Sequence, residues 1–279
     1  MDANKLKDCF PEIEILKEFP VSGQKFVFLI NHPNHGEVIL KIVKEMNERV
    51  LREIEIATSQ QLQNIPKIYG VGSFAYDEAE YTYFIEQYIP GNSLKLEIAA
   101  KRFTVKRGLD LLESLLKTAV ELEKTKIVHR DIKPDNIICC DDGSFFLIDF
   151  GIARILDKTS LTYTKAAVGP HTPGYGAPEL FQYNKPNITI KADLFSIGVV
   201  VYESILGKHP FITGNEIDVN EIWYRTATVV PQDFSITGDD DRKLIGFLQT
   251  LMQKHISKRP PTAKKALEWF YIVKESVHY

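Results

Sequence analysis

The stretch VHRDIKPDN, residues 128–136, gathers charged and amide side chains that could carry chemistry. It contains a carboxylate at Asp131, an ammonium at Lys133 and an amide at Asn136, and a second carboxylate follows at Asp149. The oxygens of Asn136 and Asp149 are hard ligands of the kind that suit Mg²⁺. Phosphoryl transfer requires neutralised phosphate charge, a held metal and an oriented hydroxyl. These residue types are compatible with the chemistry of phosphoryl transfer.

Four short motifs follow one another along the chain. They are VILK ending at Lys41, HRDIKPDN, DFG at 149–151 and APE at 177–179. Each motif is weak alone, but all four in this order resemble the protein kinase family over roughly residues 15–270. The resemblance implies a bilobal α+β fold and the use of ATP with Mg²⁺, or with Mn²⁺ in its place.

The resemblance also implies a role for each motif residue. Asp131 would accept the proton of the substrate hydroxyl, and Lys133 would place its charge at the γ-phosphate. Asn136 and Asp149 would hold the metal, with Asp149 also part of the ATP site. Lys41 would bind the α- and β-phosphates.

Lys41 needs a carboxylate from a helix to hold it, and two are available. Glu53 and Glu55 lie on different faces of the predicted helix over 47–61, so they cannot both point inward. The family commonly has Arg-Glu at this point, and Arg52-Glu53 matches it. We prefer Glu53 and leave Glu55 as the alternative.

The segment FIEQYIPGNSL resembles the hinge between the two lobes of a kinase. In that register Glu86 is the gatekeeper, and the backbone groups of Gln87 and Ile89 face the adenine edge. A register shifted by one would put Ile85 at the gatekeeper position.

Three apolar residues would cover the adenine faces: Val27, Ile138 and Ile148. Ile39 stands where the family usually has alanine, which would crowd this pocket.

The segment FPVSGQKFVFLI, residues 19–30, aligns with the glycine-rich loop of the family. The three glycine positions carry other residues here: Pro20, Ser22 and Lys25. Gly23 survives at a variable position, and Val21 and Gly23 are expected to contact ATP. Side chains occupy space that glycine would leave open, so we expect weaker ATP binding than a three-glycine loop gives. Lys25 could instead place an ammonium near the phosphates.

Several residues resemble those of serine/threonine kinases in particular. Lys133 follows Asp131 as in that class. The segment TPGYGAPE offers Thr172 as a partner for both residues, although His171 stands where glycine is usual.

Arg130 would pair with a phosphorylated activation segment. The segment TYTKAAVG resembles bacterial receptor-type kinases and implies autophosphorylation at two positions: Thr164 and Thr162.

Two further features of the second half of the chain match structural positions of the family. Asp193 is expected to brace the backbone of the catalytic loop. Glu179 and Arg259 are expected to form a buried ion pair that ties the APE motif to the last helices.

Composition places the chain among globular proteins: 279 residues, 44% hydrophobic and 25% charged, with net charge −3. This charge predicts no nucleic-acid or anionic-membrane surface. Three cysteines without metal or disulfide spacing, and an N-terminus without an apolar signal core, favour a cytoplasmic protein that binds no membrane.

Hydrophobic periodicity divides the chain into a β-rich first part and a helical second part. Apolar runs at 27–30, 38–43, 67–74 and 81–89 predict strands, with the helix 47–61 among them. A long amphipathic helix around 109–122, a hairpin over 137–149 and mainly helical sequence from 191 follow. We expect a single kinase domain over 1–279: an N-lobe of about 12–88 with one helix, a hinge of about 86–91 and a C-lobe of about 92–275.

Two other functions fit parts of the sequence. A pseudokinase acting as a nucleotide-binding regulatory module is favoured by the glycine-poor loop, the glutamate gatekeeper and the short Lys41–Glu53 separation. A small-molecule kinase would share the N-lobe and metal ligands, but the intact HRDIKPDN and TPGYGAPE segments argue against it. The substrates are expected to be proteins, and the input signal is expected to come from a regulatory partner or from the expression of the protein itself. The sequence leaves the oligomeric state open.

Overall fold

The fold is taken from a computed structural model, which describes residues 3–22, 25–44, 48–59, 62–150, 153–155, 172–181 and 188–279. The chain forms two compact units. The N-terminal unit comprises Met1–Gln61 and Ile65–Pro90, and the C-terminal unit comprises Leu62–Asn64 and Gly91–Tyr279. Among the described residues, no helix is long and apolar enough to cross a bilayer.

The N-terminal unit is built on a five-stranded antiparallel sheet with strand order β1-β2-β3-β5-β4. The strands are β1 Glu14–Ser22, β2 Lys25–His32, β3 Gly36–Val43, β4 Ile68–Tyr76 and β5 Ala79–Gln87. Two helices accompany them, α1 Ala3–Cys9 and α2 Glu48–Ser59. The predicted α+β fold with a β-rich N-terminal part is thus confirmed.

Alternation along the strands gives the sheet two different faces. One face buries Phe28 and Leu40 against Leu6 of α1. Side chains one residue along point to the opposite face, where Phe84 packs with Ile54 of α2. Lys41 has the parity of this second face, since it pairs directly with Phe84 in the ladder. The pleat therefore turns Lys41 toward the side covered by α2.

Helix α1 precedes the predicted N-lobe of about 12–88, in which α2 is the expected helix among the described residues. It has seven residues, too few for the hydrophobic period of a helix to show in the sequence. Its stability comes from Leu6, which is fully buried in the sheet core. The second helix, α2, covers the described part of the predicted helix 47–61, since residues 47, 60 and 61 lie outside the described residues.

The C-terminal unit is mainly helical, as its sequence predicts. Its helices are α3 Leu94–Ala99, α4 Val105–Lys124, α5 Pro178–Phe181, α6 Ile190–Leu206, α7 Val219–Thr228, α8 Lys243–Leu251 and α9 Ala263–Lys274. Its short strands are β6 Asn92–Ser93, β7 Ile127–Val128, β8 Ile137–Cys139, β9 Phe145–Leu147 and β10 Arg154–Ile155. Strands β8 and β9 form the predicted hairpin.

Helices α4 and α6 form the centre of this unit. The predicted apolar stripe of α4 is buried, and α6 is buried along nearly its whole length. Thr104 and Thr189 cap their N-termini by accepting backbone N–H groups. The first residues of α6 bring Asp193 into the core, where it meets the loop that follows β7.

Candidate active site

Asp131 is the hub of a hydrogen-bonded cluster in the C-terminal unit. Its Oδ1 accepts a 2.6 Å bond from the hydroxyl of Thr172, and its Oδ2 lies 2.9 Å from the ammonium of Lys133. Lys133 Nζ also donates to Thr172 Oγ1 at 2.9 Å. Asn136 Nδ2 donates to the backbone oxygen of Asp131 at 2.9 Å and to its Oδ2 at 3.0 Å. The residues predicted to share the catalytic loop, and the predicted partner Thr172, therefore meet at one carboxylate.

Asp193 holds the backbone of this loop in place, as predicted. Its two carboxylate oxygens accept the N–H groups of His129 at 2.8 Å and Arg130 at 2.9 Å. Burial raises the pKa of Asp193 to about 7, because desolvation outweighs the two backbone N–H bonds and the charge of Arg130. Arg130 has a positive φ of 69°, which a non-glycine residue adopts at a cost. The bracing by Asp193 offsets part of that cost.

His129 contributes to the site, although its sequence position suggested no role. Its Nδ1 accepts the N–H of Asp131 at 3.2 Å, and its Nε2 lies 3.3 Å from the backbone oxygen of Ile148. Burial lowers the pKa of His129, so the neutral ring with its proton on Nε2 fits both contacts. The ring packs edge-on against Phe150 at 4.5 Å. His129 thus joins the Asp131 loop to the segment that carries Asp149.

Asp149 follows Ile148 at the end of the β9 segment. The N–H of Ile148 donates to the backbone oxygen of Asn136 at 2.9 Å, which puts the two proposed metal ligands on adjacent backbone segments. Asp149 has a positive φ of 65°, an unusual conformation that clusters at functional sites. Within the described parts of the chain, no three His, Cys, Asp or Glu residues form a metal cluster. A pair of Asp and Asn oxygens still suits Mg²⁺, which keeps several water or phosphate ligands.

In the N-terminal unit, Lys41 pairs with Glu53 rather than Glu55. The Nζ of Lys41 lies 2.8 Å from Glu53 Oε1. Helix α2 places Glu53 on its buried side, and Glu53 is 4% exposed. The open choice between the two glutamates is therefore decided by the helix face that packs on the sheet.

Lys25 contacts the same glutamate as Lys41, and its suggested place near the ATP phosphates stays a prediction. Its ammonium makes an ion pair with Glu53 Oε2, so one glutamate is shared between two lysines. Lys25 stands at the start of β2, next to the loop tip. The long side chain of Lys25 reaches Glu53 because Lys25 points to the face of the sheet that α2 covers.

Glu86 is a partner of Lys41 that the sequence reasoning did not find. Its Oε2 makes an ion pair with Lys41 Nζ, and the residue is 8% exposed. Burial raises the pKa of Glu86, and the Lys41 ammonium opposes that rise only in part. The signal was present in the alternation of the strands, since Glu86 and Lys41 have the parity of one sheet face, but it needed the register of β3 and β5.

The residues predicted to bind the adenine are distributed over both units. Val27 of β2 pairs with Lys41 in the ladder and is half-buried. Ile138 of β8 is half-buried, and Ile89 is buried. The N–H of Gln87 donates to the backbone oxygen of Lys67 at 2.8 Å. The adenine-binding role of these residues stays a prediction.

Some predicted positions lie outside the described residues. They are Gly23, His171 and the two proposed phosphorylation sites, Thr162 and Thr164. For Val21 the strand is described but the side chain is not. Their roles stay predictions.

Glu179 and Arg259 form the predicted buried ion pair. Arg259 Nη1 lies 2.6 Å from Glu179 Oε1, and Nη2 lies 2.9 Å from Oε2, which is a two-point contact. Arg259 also donates to backbone oxygens of Gln253 and Lys191. These bonds satisfy the guanidinium and fix the APE segment to α6 and the chain before α9.

Comparison with known proteins gives the class of this domain. The family model for the protein kinase domain matches residues 29–272, so the chain belongs to that family. Its curated relatives place it with the Hanks-type serine/threonine kinases.

Three relatives illustrate the range of similarity. A probable serine/threonine-protein kinase of Bifidobacterium longum is 28% identical over 222 residues, which are 79% of this chain and 28% of that protein. Serine/threonine-protein kinase PrkC of Bacillus subtilis is 33% identical over 183 residues, 63% of this chain and 27% of PrkC. A probable serine/threonine-protein kinase of Clostridium acetobutylicum is 30% identical over 231 residues, 80% of this chain and 34% of that protein. The chain thus spans about a third or less of the length of these relatives.

Proposed function

We propose that this chain transfers the γ-phosphate of ATP, with Mg²⁺ or Mn²⁺ bound, to serine or threonine hydroxyls of proteins. The observation that carries the proposal is the cluster around Asp131. A carboxylate, a lysine and a threonine hydroxyl lie within one set of bonds between 2.6 and 2.9 Å. Such pre-positioned charge and hydrogen bonding is the main contribution of a protein to phosphoryl transfer.

Each residue of the C-terminal cluster has a part in this reaction. Asp131 accepts the proton of the attacking hydroxyl, which it also orients. Lys133 supplies a positive charge to the phosphoryl group as it moves. Thr172 keeps the acid and the lysine at a fixed separation, since it donates to one and accepts from the other.

Asn136 and Asp149 are the residues that would hold the metal. Asn136 donates to Asp131 through Nδ2, and its amide oxygen is the atom that would bind the metal. A bound Mg²⁺ supplies charge neutralisation on the phosphates. Lys41, held by Glu53, contributes positive charge to the α- and β-phosphates.

The experiment uses γ-labelled ATP with a generic protein substrate, with Mg²⁺ and then with Mn²⁺. Wild type should label serine and threonine in the substrate, and phosphoamino-acid analysis should find no phosphotyrosine. Asp131→Asn and Asp149→Asn should each lower the rate by at least about a hundredfold. Asp135→Asn is the matched control, because it lies in the same loop with an exposed side chain. Transfer that persists in Asp131→Asn would contradict the proposal.

A second candidate is a nucleotide-binding regulatory module without transfer activity. It is favoured by the glycine-poor loop and by the glutamate at the predicted gatekeeper position, Glu86. Binding of MgATP by wild type without label on any acceptor would support it.

The proposal includes autophosphorylation at Thr164 and Thr162. It also includes that the protein acts in the cytoplasm and that a regulatory partner controls it. Replacement of both threonines by alanine should remove phosphate from the chain after incubation with ATP. Mass spectrometry that finds the phosphate content unchanged would rule out these two sites.

A further inference from the structure

The ion pair between Glu86 and Lys41 is built into the sheet of the N-terminal unit. In the ladder, Ile39 lies opposite Glu86 and Lys41 lies opposite Phe84. Glu86 is therefore the diagonal neighbour of Lys41 on one face, a separation that long side chains can bridge. Backbone hydrogen bonds between β3 and β5 fix the distance between the two residues.

The other carboxylate that holds Lys41 is attached differently. Glu53 belongs to α2, which packs on the sheet through side chains such as Ile54. Its position relative to Lys41 depends on how this helix is seated. Of these two carboxylates, Glu53 is therefore placed against Lys41 by packing and Glu86 by the strand register.

The four charges of this cluster alternate in sign. Lys25 meets one oxygen of Glu53, Lys41 meets the other, and Glu86 meets Lys41 from the sheet side. Glu53 and Glu86 are both less than a tenth exposed. A buried carboxylate is costly without a counter-charge, so each glutamate favours a lysine placed against it.

We propose that Glu86 is a positioning residue for Lys41, which keeps the ammonium in place from within the sheet when the contact with Glu53 is lost. The inference rests on the proposed role of Lys41 in binding ATP phosphates. Glu86 and Glu53 then act as alternative supports. Removal of one leaves the other to hold Lys41, and removal of both takes away these two carboxylate contacts.

The proposal predicts a particular dependence on pH. The charged groups that face Glu86 in this unit are Lys41 from β3, Glu53 from α2 and Lys25 from β2. Because burial raises the pKa of Glu86, acidification neutralises this carboxylate at a higher pH than an exposed one. Its hold on Lys41 then weakens. When Glu53 is absent, this loss should become visible in activity.

The experiment measures kcat and KM for ATP in Glu86→Gln, Glu53→Gln and the double variant. Each single variant should lose less than about tenfold in kcat/KM. The fold-loss of the double variant should exceed the product of the two single-variant fold-losses. The glutamine keeps the volume of glutamate, and a thermal unfolding scan verifies folding. Glu80→Gln is the matched control, since Glu80 lies on the same strand with an exposed side chain; it should match wild type.

A pH series from 5.5 to 8 separates positioning from a general structural role. Glu53→Gln should lose kcat/KM more steeply on the acid side than wild type, and the double variant should not show that extra loss. Titration of ATP itself affects all variants equally, so it cancels when their pH profiles are compared with that of wild type. Additive losses, or equal pH profiles in Glu53→Gln and the double variant, would overturn the inference.

A binding measurement keeps this test separate from the proposed function. The affinity for MgADP, measured by calorimetry, requires no phosphoryl transfer. If wild type transfers no phosphate, the proposed function fails, while a more-than-additive loss of MgADP affinity in the double variant still supports Glu86. If wild type transfers phosphate but the losses of affinity are additive, only the inference about Glu86 fails.

Discussion

The hydroxyl of Thr172 donates to Asp131 Oδ1 at 2.6 Å across 41 residues of chain. The hydroxyl oxygen of Thr172 in turn accepts a bond from Lys133 Nζ at 2.9 Å. One side chain therefore sets the separation of the acid and the lysine. The TPGYGAPE segment and the catalytic loop are coupled at this point.

Replacement of Thr172 tests that coupling. Thr172→Ala should lower kcat by about tenfold to a hundredfold, because the carboxylate and the ammonium lose their common partner. Thr172→Ser keeps the hydroxyl and should retain most of the rate. Steady-state kinetics on a peptide substrate measures both. Equal losses in the two variants would show that the hydroxyl is not what matters.

The buried pair Glu179–Arg259 should contribute far more to stability than an exposed pair. Glu179→Gln leaves a fully buried guanidinium without its counter-charge and should lower the free energy of unfolding by about 3–5 kcal/mol. Lys265→Met removes one partner of the exposed pair with Glu268 and should cost less than about 1 kcal/mol. Urea denaturation measures both. A similar, small loss in the two variants would contradict the assigned role of the buried pair.

His209 should make the folded state sensitive to acid. Its Nδ1 accepts the N–H groups of Phe211 and Ile212 at 3.0 and 2.9 Å. Burial lowers the pKa of His209 to about 4, whereas its ordinary value is 6.5. The unfolded chain therefore binds more protons between these values, and the free energy of unfolding falls as the pH drops from about 6.5 to 4, by up to about 3 kcal/mol.

His209→Asn offers an oxygen acceptor that does not titrate. Its free energy of unfolding should depend less on pH than that of wild type over this window, as measured by denaturation at several pH values. His255→Asn, at an exposed position, is the control and should follow wild type. A pH dependence unchanged by His209→Asn would assign the acid sensitivity to other groups.

Gly91, at the end of the predicted hinge, should not tolerate a side chain. Its φ is 151°, and an added Cβ would lie 2.3 Å from the backbone oxygen of Cys139. Gly91→Ala should lower the free energy of unfolding by at least about 2 kcal/mol more than Gly143→Ala. Gly143 also has a positive φ, but a Cβ there meets no atom within 4 Å. Thermal unfolding measures the change in Tm of Gly91→Ala and of Gly143→Ala. Equal changes would mean that the contact with Cys139 relaxes without cost.

The class of protein and most local elements could be predicted from the sequence. Four motifs in a fixed order identified the family, and the apolar period of α4 and the turn between β8 and β9 are properties of neighbouring residues. The partners of Thr172, Asp193 and Arg259 were predicted from the resemblance alone. Helix α1 was missed because its short length hides the helical period.

The sequence by itself determined which residues form the catalytic loop and that the chain is a protein kinase domain, because these depend on residue type and order. Tertiary structure decided which side chains meet Lys41. The choice of Glu53 over Glu55 depended on the face by which α2 packs, and the contact with Glu86 depended on the register between β3 and β5. A shift of one residue in that register would turn Glu86 to the other face. Such long-range pairings leave no mark in the local sequence, since they arise only when distant elements fold against each other.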